Sequence, residues 1–408
     1  MASIELQPKT RAGARLVASA EALASQLATT AAQRDASGAY PLENIALLKQ
    51  AGYFVAPIPE HFGGLGVESV FDTLVASSRL ARGDASTTIG LNMHLLMVMS
   101  IVRRWQQAVA REDQRRVEAF GRSLERIVDD GAIMSAAISE PSQHLTMPGT
   151  RATRTADGWL LNGRKIFATM SPAATMFIVS VTYENSDGNP QYAYAEVPAE
   201  TPGVTINDDW DALGMRASGS NSVSFVNVEL PRSAVRGGFP VGDTIGYVDR
   251  NLPNGLFHAA ASLGIAESAH TAAIKRLAGS GDGHVRAPEQ MMVAENAIDL
   301  SATRATFGRA GDLIDDFYAA HLTVAATSDE WTTMFAEVQA AKTFVNETAT
   351  RIVDRALTLS GGGGYMRSHA LSRAYRDVRA GGFMQPLGAV RAYEYLAQAA
   401  LGREPSLS

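Results

Sequence analysis

What most limits the fold of this chain is the order in which its hydrophobic periodicity changes. Apolar residues recur at helical spacing to about residue 130, alternate as in strands over about 131–240, and return to helical spacing beyond. That block order excludes the strand–helix alternation of a parallel nucleotide-binding sheet. It predicts an α+β protein with a helical unit over residues 1–130, a β-unit over 131–240 and a second helical unit over 241–408.

In the first block, Ala14 to Ala32 reads as an amphipathic helix. Lys9, Arg11 and Arg15 stand at its start, without the apolar stretch of a secretory signal. Leu42, Ile45, Leu47 and Leu48 follow Pro41 at helical spacing, and Gly52 ends that run. Val70 to Leu80 and Ile89 to Trp105 are two further apolar helices. In the second block, Asn162-Gly163 lies between apolar runs and is expected to turn a hairpin. Strands are expected at Met176 to Tyr183, Gln191 to Val197 and Ser222 to Leu230, divided by turn clusters at 185–188 and 202–203. The third block is alanine-rich. Its breaks are expected at Gly279 to Pro288 and at Gly361 to Gly364.

Composition narrows the chemistry. Hydrophobic residues make up 46% and charged residues 19%, a globular balance. Net charge is -6 with no block rich in Lys or Arg, which argues against a nucleic-acid partner. Cysteine is absent, so disulfides, thiolate metal sites and a cysteine nucleophile are excluded. No uninterrupted apolar run approaches the roughly 20 residues of a bilayer span. A cytoplasmic protein without a membrane partner is therefore expected. No metal cluster, nucleophile elbow or Walker-type loop is present in the sequence.

Four segments remain to carry chemistry. The loop Gly52 to Gly66 reads Gly-Tyr-Phe-Val-Ala-Pro-Ile-Pro-Glu-His-Phe-Gly-Gly-Leu-Gly. Ser139-Glu140-Pro141 precedes Asn162-Gly163-Arg164-Lys165 and Phe167-Ala168-Thr169. Leu213-Gly214-Met215-Arg216-Ala217-Ser218-Gly219-Ser220 sets an arginine among hydroxyls and glycines, fit to hold a phosphate or to form a turn. Last come Gly361 to Gly364 with Tyr365, then Tyr375-Arg376-Asp377, then Phe383-Met384-Gln385-Pro386-Leu387. Four successive glycines expose backbone N–H groups to a close-approaching ligand. In this order, these segments resemble the acyl-CoA dehydrogenase superfamily.

The resemblance implies an antiparallel β-barrel or sandwich between an N-terminal helical domain and a C-terminal four-helix bundle. It also implies a flavin, FAD with FMN as the alternative. Ser139 would meet the flavin pyrimidine, Thr169 would meet N5, and Phe167 would pack on the ring. Arg216, Ser218, Arg286, Gly361 and Gly362 are the further cofactor contacts, the glycines reaching the flavin of a neighbouring subunit. A shared site of that kind implies a homo-oligomer, dimer or tetramer. Arg376 and Asp377 are expected to form a structural ion pair.

Two departures bear on the reaction. The family's Gly-x-Gly-Ser-Asp segment is replaced by residues 142–149, which argues against an acyl-CoA substrate. Gln385 stands where the family's glutamate takes the α-proton, and an amide has no usable basicity. The family's alternative base position matches Gly255, also without a base. His258 lies three residues on, on the same helical face. His94 lies on a helix that lines the pocket in relatives, and imidazoles titrate near neutrality. His94, His258 and Gln385 are thus the catalytic candidates. Family members that lack the glutamate include monooxygenases fed reduced flavin by a separate reductase. This chain then reads as an oxygen-using monooxygenase or oxidase acting on a small organic substrate. Some such enzymes carry a His-x-Pro element, where this chain has Met384 in place of the histidine. The alternatives are an acyl-thioester dehydrogenase with its base elsewhere and a non-catalytic flavin-binding protein.

Overall fold

A hydroxyl cap starts the first helix. Thr10 Oγ1 accepts the Gly13 N–H, and Gly38 closes the helix in the left-handed region. In the computed structural model, which describes residues 4–141, 144–279 and 285–407, this helix is α1 (Arg11–Ser37). It is followed by α2 (Leu42–Gln50), α3 (Val70–Ala81), α4 (Ala85–Ala110) and α5 (Gln114–Asp129). By length and composition α4 could cross a bilayer, yet 72% of its most apolar window is buried inside the fold. It is a core helix.

Eight strands follow among the described residues: β1 (Met134–Ala137), β2 (Arg151–Arg154), β3 (Gly158–Ala168), β4 (Met176–Glu184), β5 (Pro190–Pro198), β6 (Val204–Ile206), β7 (Asn221–Pro231) and β8 (Val235–Pro240). They form one sheet in the order β6-β7-β3-β2-β4-β5-β8. Pairing is mostly antiparallel, but β1 runs parallel to β4 and shares that edge with β2. Phe177 on β4 and Phe225 on β7 are not sheet neighbours, yet their ring centroids lie 6.4 Å apart. The sheet therefore curls around its own apolar core, which includes Trp159, Leu161, Val179 and Val197.

The Asn162-Gly163 pair does not turn a hairpin. β3 runs straight through it with a register shift between Leu161 and Gly163, and the turn lies earlier, where Thr155 N–H donates to Gly158 O. Asn162 Oδ1 instead accepts the Asn227 N–H at 2.8 Å. A Cβ on Gly163 would meet the Thr150 side chain at 2.4 Å. Glycine serves a close approach here, a use that looks the same in sequence.

The C-terminal unit holds α6 (Thr244–Asn251), α7 (Asn254–Ala278), α8 (Ala287–Ala320), α9 (Ser328–Leu359), α10 (Ala370–Val378) and α11 (Ala389–Ala400). Three further breaks divide α6 from α7, α8 from α9 and α10 from α11; at the second, Thr327 and Glu330 form a capping box. The alanine-rich pattern carries no glycine or proline at that point, so the Thr-x-x-Glu cap is the cue to the break in the sequence. Every residue of α3 is buried, because α1, α7 and α8 pack around it. The N-terminal and C-terminal helical blocks thus share one core.

Candidate active site

The end of β3 is held in strained backbone. Phe167 lies at φ 56° and Met170 at 67°, and Met215, in the loop bonded to this segment, lies at 51°. Non-glycine residues in this region cost on the order of 1 kcal/mol each and persist where surrounding structure imposes them. The imposing bonds are visible: Met170 N–H donates to Ser218 O at 3.0 Å, and Ser171 N–H to Gly219 O at 3.2 Å. Thr169 and Ser218 meet through Ser220, whose Oγ lies 2.9 Å from Thr169 Oγ1 and 2.7 Å from Ser218 Oγ. Ser139 joins from the β1 side, its carbonyl accepting the Ile166 N–H at 2.8 Å. Phe167 is 57% exposed, with Trp210 edge-on at 6.0 Å. An open aromatic face beside a row of hydroxyls fits a planar ring whose edge carries fixed donors and acceptors.

A buried ion pair locks the segment that carries Ser139. Lys165 Nζ lies 2.6 Å from Glu140 Oε1 and 2.8 Å from Ser180 Oγ. Glu140 also accepts the Thr150 hydroxyl at 2.6 Å and the N–H groups of Gly149 and Thr150. Burial lowers the Lys165 ammonium to about 8 even beside that carboxylate. Burial pushes the Glu140 carboxyl up, but Lys165 and the hydrogen bonds carry it below its ordinary value. The motif pair Ser-Glu-Pro and Asn-Gly-x-Lys is thus one clamp split across the sequence.

The loop 213–220 docks the β-unit on α10. Met215 N–H donates to Asp377 Oδ1 at 2.6 Å. Arg376 does not pair with Asp377; it bonds both oxygens of Asp35, at 2.7 and 2.5 Å. Burial pushes the Asp377 carboxyl up to about 7. Arg216 serves the same joint, bonding Asp35 O at 2.9 Å and Asp211 at 2.7 Å. With Leu213, Tyr365, Arg367, Tyr375 and Arg376 it lines a cleft of about 590 Å3. Gly361 and Gly362 stand four and three residues before this cleft's Tyr365, and a Cβ on either would meet open space. Arg286 stands apart, exposed at the start of α8 and held by Glu289 at 2.6 Å.

The catalytic candidates do not converge as expected. His94 spends both ring nitrogens on backbone: Nε2 bonds Phe54 O at 2.8 Å, and Nδ1 accepts the Met134 N–H at 3.0 Å. Burial lowers it to about 4, so the ring is neutral. His94 clamps α4 to β1 and is no proton shuttle. His258 is buried with Nδ1 unpartnered. Burial, then the Lys342 charge, push it down to about 3. It too stays neutral near pH 7 and offers a hydrogen bond without acid–base service.

The space beside Gly255 belongs to α9. A Cβ there would meet Lys342 Cδ at 2.9 Å and Gln339 Nε2 at 3.4 Å. Lys342 Nζ donates to the carbonyls of Met384 and Leu387, both at 2.6 Å, and lies 3.4 Å from that of Gln385. Asn346 Nδ2 donates to Gly381 O at 3.1 Å, while its Oδ1 accepts the Ser262 hydroxyl at 2.7 Å. Sequence reading missed Lys342, Asn346 and Ser220. For Lys342 a signal existed: it falls in phase with Phe335, Val338, Val345 and Ala349, where a buried apolar residue belongs.

This architecture finds a match in known proteins. Residues 14–115, 135–228 and 256–385 match the N-terminal, middle and C-terminal domains of acyl-CoA dehydrogenase. The chain belongs to the acyl-CoA dehydrogenase family and is a flavin-dependent oxidoreductase, which sets aside the non-catalytic reading. L-evernosamine nitrososynthase of Micromonospora sp. is 34% identical over 97% of this chain and 92% of its own. Amino sugar nitrososynthase DnmZ of Streptomyces peucetius is 32% identical over 97% and 95%. The structure of KijD3 with FMN and dTDP-3-amino-2,3,6-trideoxy-4-keto-3-methyl-D-glucose matches at TM-score 0.89 and 32% identity, covering 99% of this chain and 98% of that one.

Proposed function

We propose that this protein is a reduced-flavin monooxygenase that oxidises the amine of an amino sugar. One observation carries the reading. By the resemblance Gln385 stands at the general-base position, and the side chains described above beside its segment, Lys342, Asn346, Gln339, Ser262 and His258, include no carboxylate. Dehydrogenation of a thioester needs a base for a carbon-bound proton. An amine nitrogen already carries a lone pair, so its oxidation asks the site to bind, orient and exclude water. The amides, hydroxyl and imidazole among these side chains do that without adding a second buried charge beside Lys342. The likeness to nitrososynthases and to KijD3, which holds FMN and an amino sugar nucleotide, supports the same direction.

Ser139, Thr169, Ser218 and Phe167 would hold the flavin, FMN first and FAD as the alternative. When reduced, that group supplies two electrons with which dioxygen leaves one oxygen atom on the nitrogen and the other in water. A homo-oligomer, a separate flavin reductase and a cytoplasmic setting belong to this reading. The deciding experiment supplies FMN, NADH, a free flavin reductase, an amino sugar nucleotide and isotopically labelled dioxygen. Label in an N-oxidised product is expected. Unlabelled product would refute oxygen insertion from dioxygen, and anaerobic flavin reduction by an acyl-CoA would instead favour the acyl-thioester dehydrogenase.

A further inference from the structure

The segment that carries Gln385 is not held by its own secondary structure. Residues 379–383 form a single 3-10 stretch, and the segment bonds to α9 instead. α9 reaches it with two residues four apart, which share a helical face. Asn346 takes Gly381 at one end, and Lys342 takes Met384, Gln385 and Leu387 at the other. A Cβ on Gly381 would lie 2.4 Å from Asn346 Oδ1, so the approach is close.

Burial lowers the Lys342 ammonium to about 7, and in its charged form its three N–H donors match three carbonyls. Lys342 is 2% exposed, in a stripe where an apolar side chain would satisfy packing alone. Placing a cation there carries a desolvation cost of several kcal/mol, and the carbonyls are what offset it. Beside it Gln339 is fully buried with both amide atoms unpartnered, and His258 Nδ1 also lacks a partner. The polar seam between α7 and α9 thus concentrates beneath one short segment.

We infer that Lys342 is a positioning residue, whose ammonium fixes the 384–387 carbonyls and through them sets where the Gln385 side chain points. This rests on reading Gln385 as part of the site. Lys342 makes no contact with substrate in this scheme; it acts through residue 385.

Two readouts test it. In Lys342→Met, amide hydrogen exchange over residues 381–388 should accelerate at least tenfold, while helices away from α9 keep their protection. In the oxygenase assay kcat should fall by up to about 10²-fold with little change in KM, as for a misplaced group. Lys342→Met with Gln385→Ala should be no slower than Gln385→Ala alone, because the two act as one unit. Unchanged exchange, or additive rate losses, would overturn the proposal.

Because the chain has no cysteine, Lys342→Cys gives a second route. Aminoethylation rebuilds an amine of lysine length, and propylation restores only the packing. Recovery of slow exchange by the amine alone supports the role. Equal recovery by both, or folding of the amine form only, assigns a structural role and refutes it. The exchange readout needs no turnover. A wild type that inserts no oxygen would sink the oxygenase reading and leave Lys342 to be judged on exchange.

Discussion

Gly214→Ala puts the joint between the β-unit and α10 to a quantitative test. A Cβ built at Gly214 falls 2.2 Å from Arg376 O, 2.4 Å from its carbonyl carbon and 2.7 Å from Asp377 N. All three are backbone atoms, so no rotamer change relieves the clash. The loop and α10 must separate by about 1 Å, a forced shift of the kind that costs about 1–3 kcal/mol. The Met215 N–H to Asp377 bond, now 2.6 Å, then stretches beyond hydrogen-bond range. Losing a bond to a charged group adds about 1.5–3 kcal/mol. The expected loss is about 2.5–6 kcal/mol, read as a lower urea midpoint. Gly362→Ala is the control, since its Cβ would meet nothing within 4 Å; it should change stability by less than about 0.5 kcal/mol. A Gly214→Ala protein within about 1 kcal/mol of wild type would refute the idea that this glycine keeps the two units in register.

Three further outcomes are expected. Gly362→Ala, harmless to stability, should weaken flavin binding in a fluorescence titration if the glycine run lies against the cofactor; unaltered binding would remove the run from the site. Glu140→Gln should lose about 3–5 kcal/mol in chemical unfolding, because Lys165 keeps a buried charge without its partner. Adding Lys165→Met should recover part of that loss, and no recovery would show that the pair is not the clamp. Asp377 gives a pH signature. Its folded carboxyl is raised from 3.8 to about 7, so between those values the folded state binds the extra proton and stability falls as pH rises. Asp377→Asn should therefore gain on wild type by roughly 2–3 kcal/mol between pH 5 and pH 8. A flat difference in unfolding free energy across that range would contradict the assignment.

The candidate site was read from residues whose chemistry is visible in their type. Thr169 and Ser218 read as cofactor contacts from motif order, and the fold joins them through Ser220. Gln385 read as a missing base because an amide and a carboxylate differ whatever surrounds them. His94 misled for the opposite reason. Imidazole chemistry depends on what holds its nitrogens, and two backbone groups distant in sequence hold both. Asn162-Gly163 misled because a glycine needed for a turn and one needed for close approach to Thr150 are the same letter.

The sequence alone determined the helix–strand–helix order, the three strands at Met176 to Tyr183, Gln191 to Val197 and Ser222 to Leu230, and the amide in place of a carboxylate at residue 385. Periodicity and side-chain type are local properties, and they survive without neighbours. Only the tertiary structure decided that Lys165 clamps Glu140, that Arg376 serves Asp35 and not Asp377, and that Lys342 holds the segment carrying Gln385. Each pairing joins residues far apart in the chain. A buried charge must find compensation wherever the fold brings it, and that partner is set by packing.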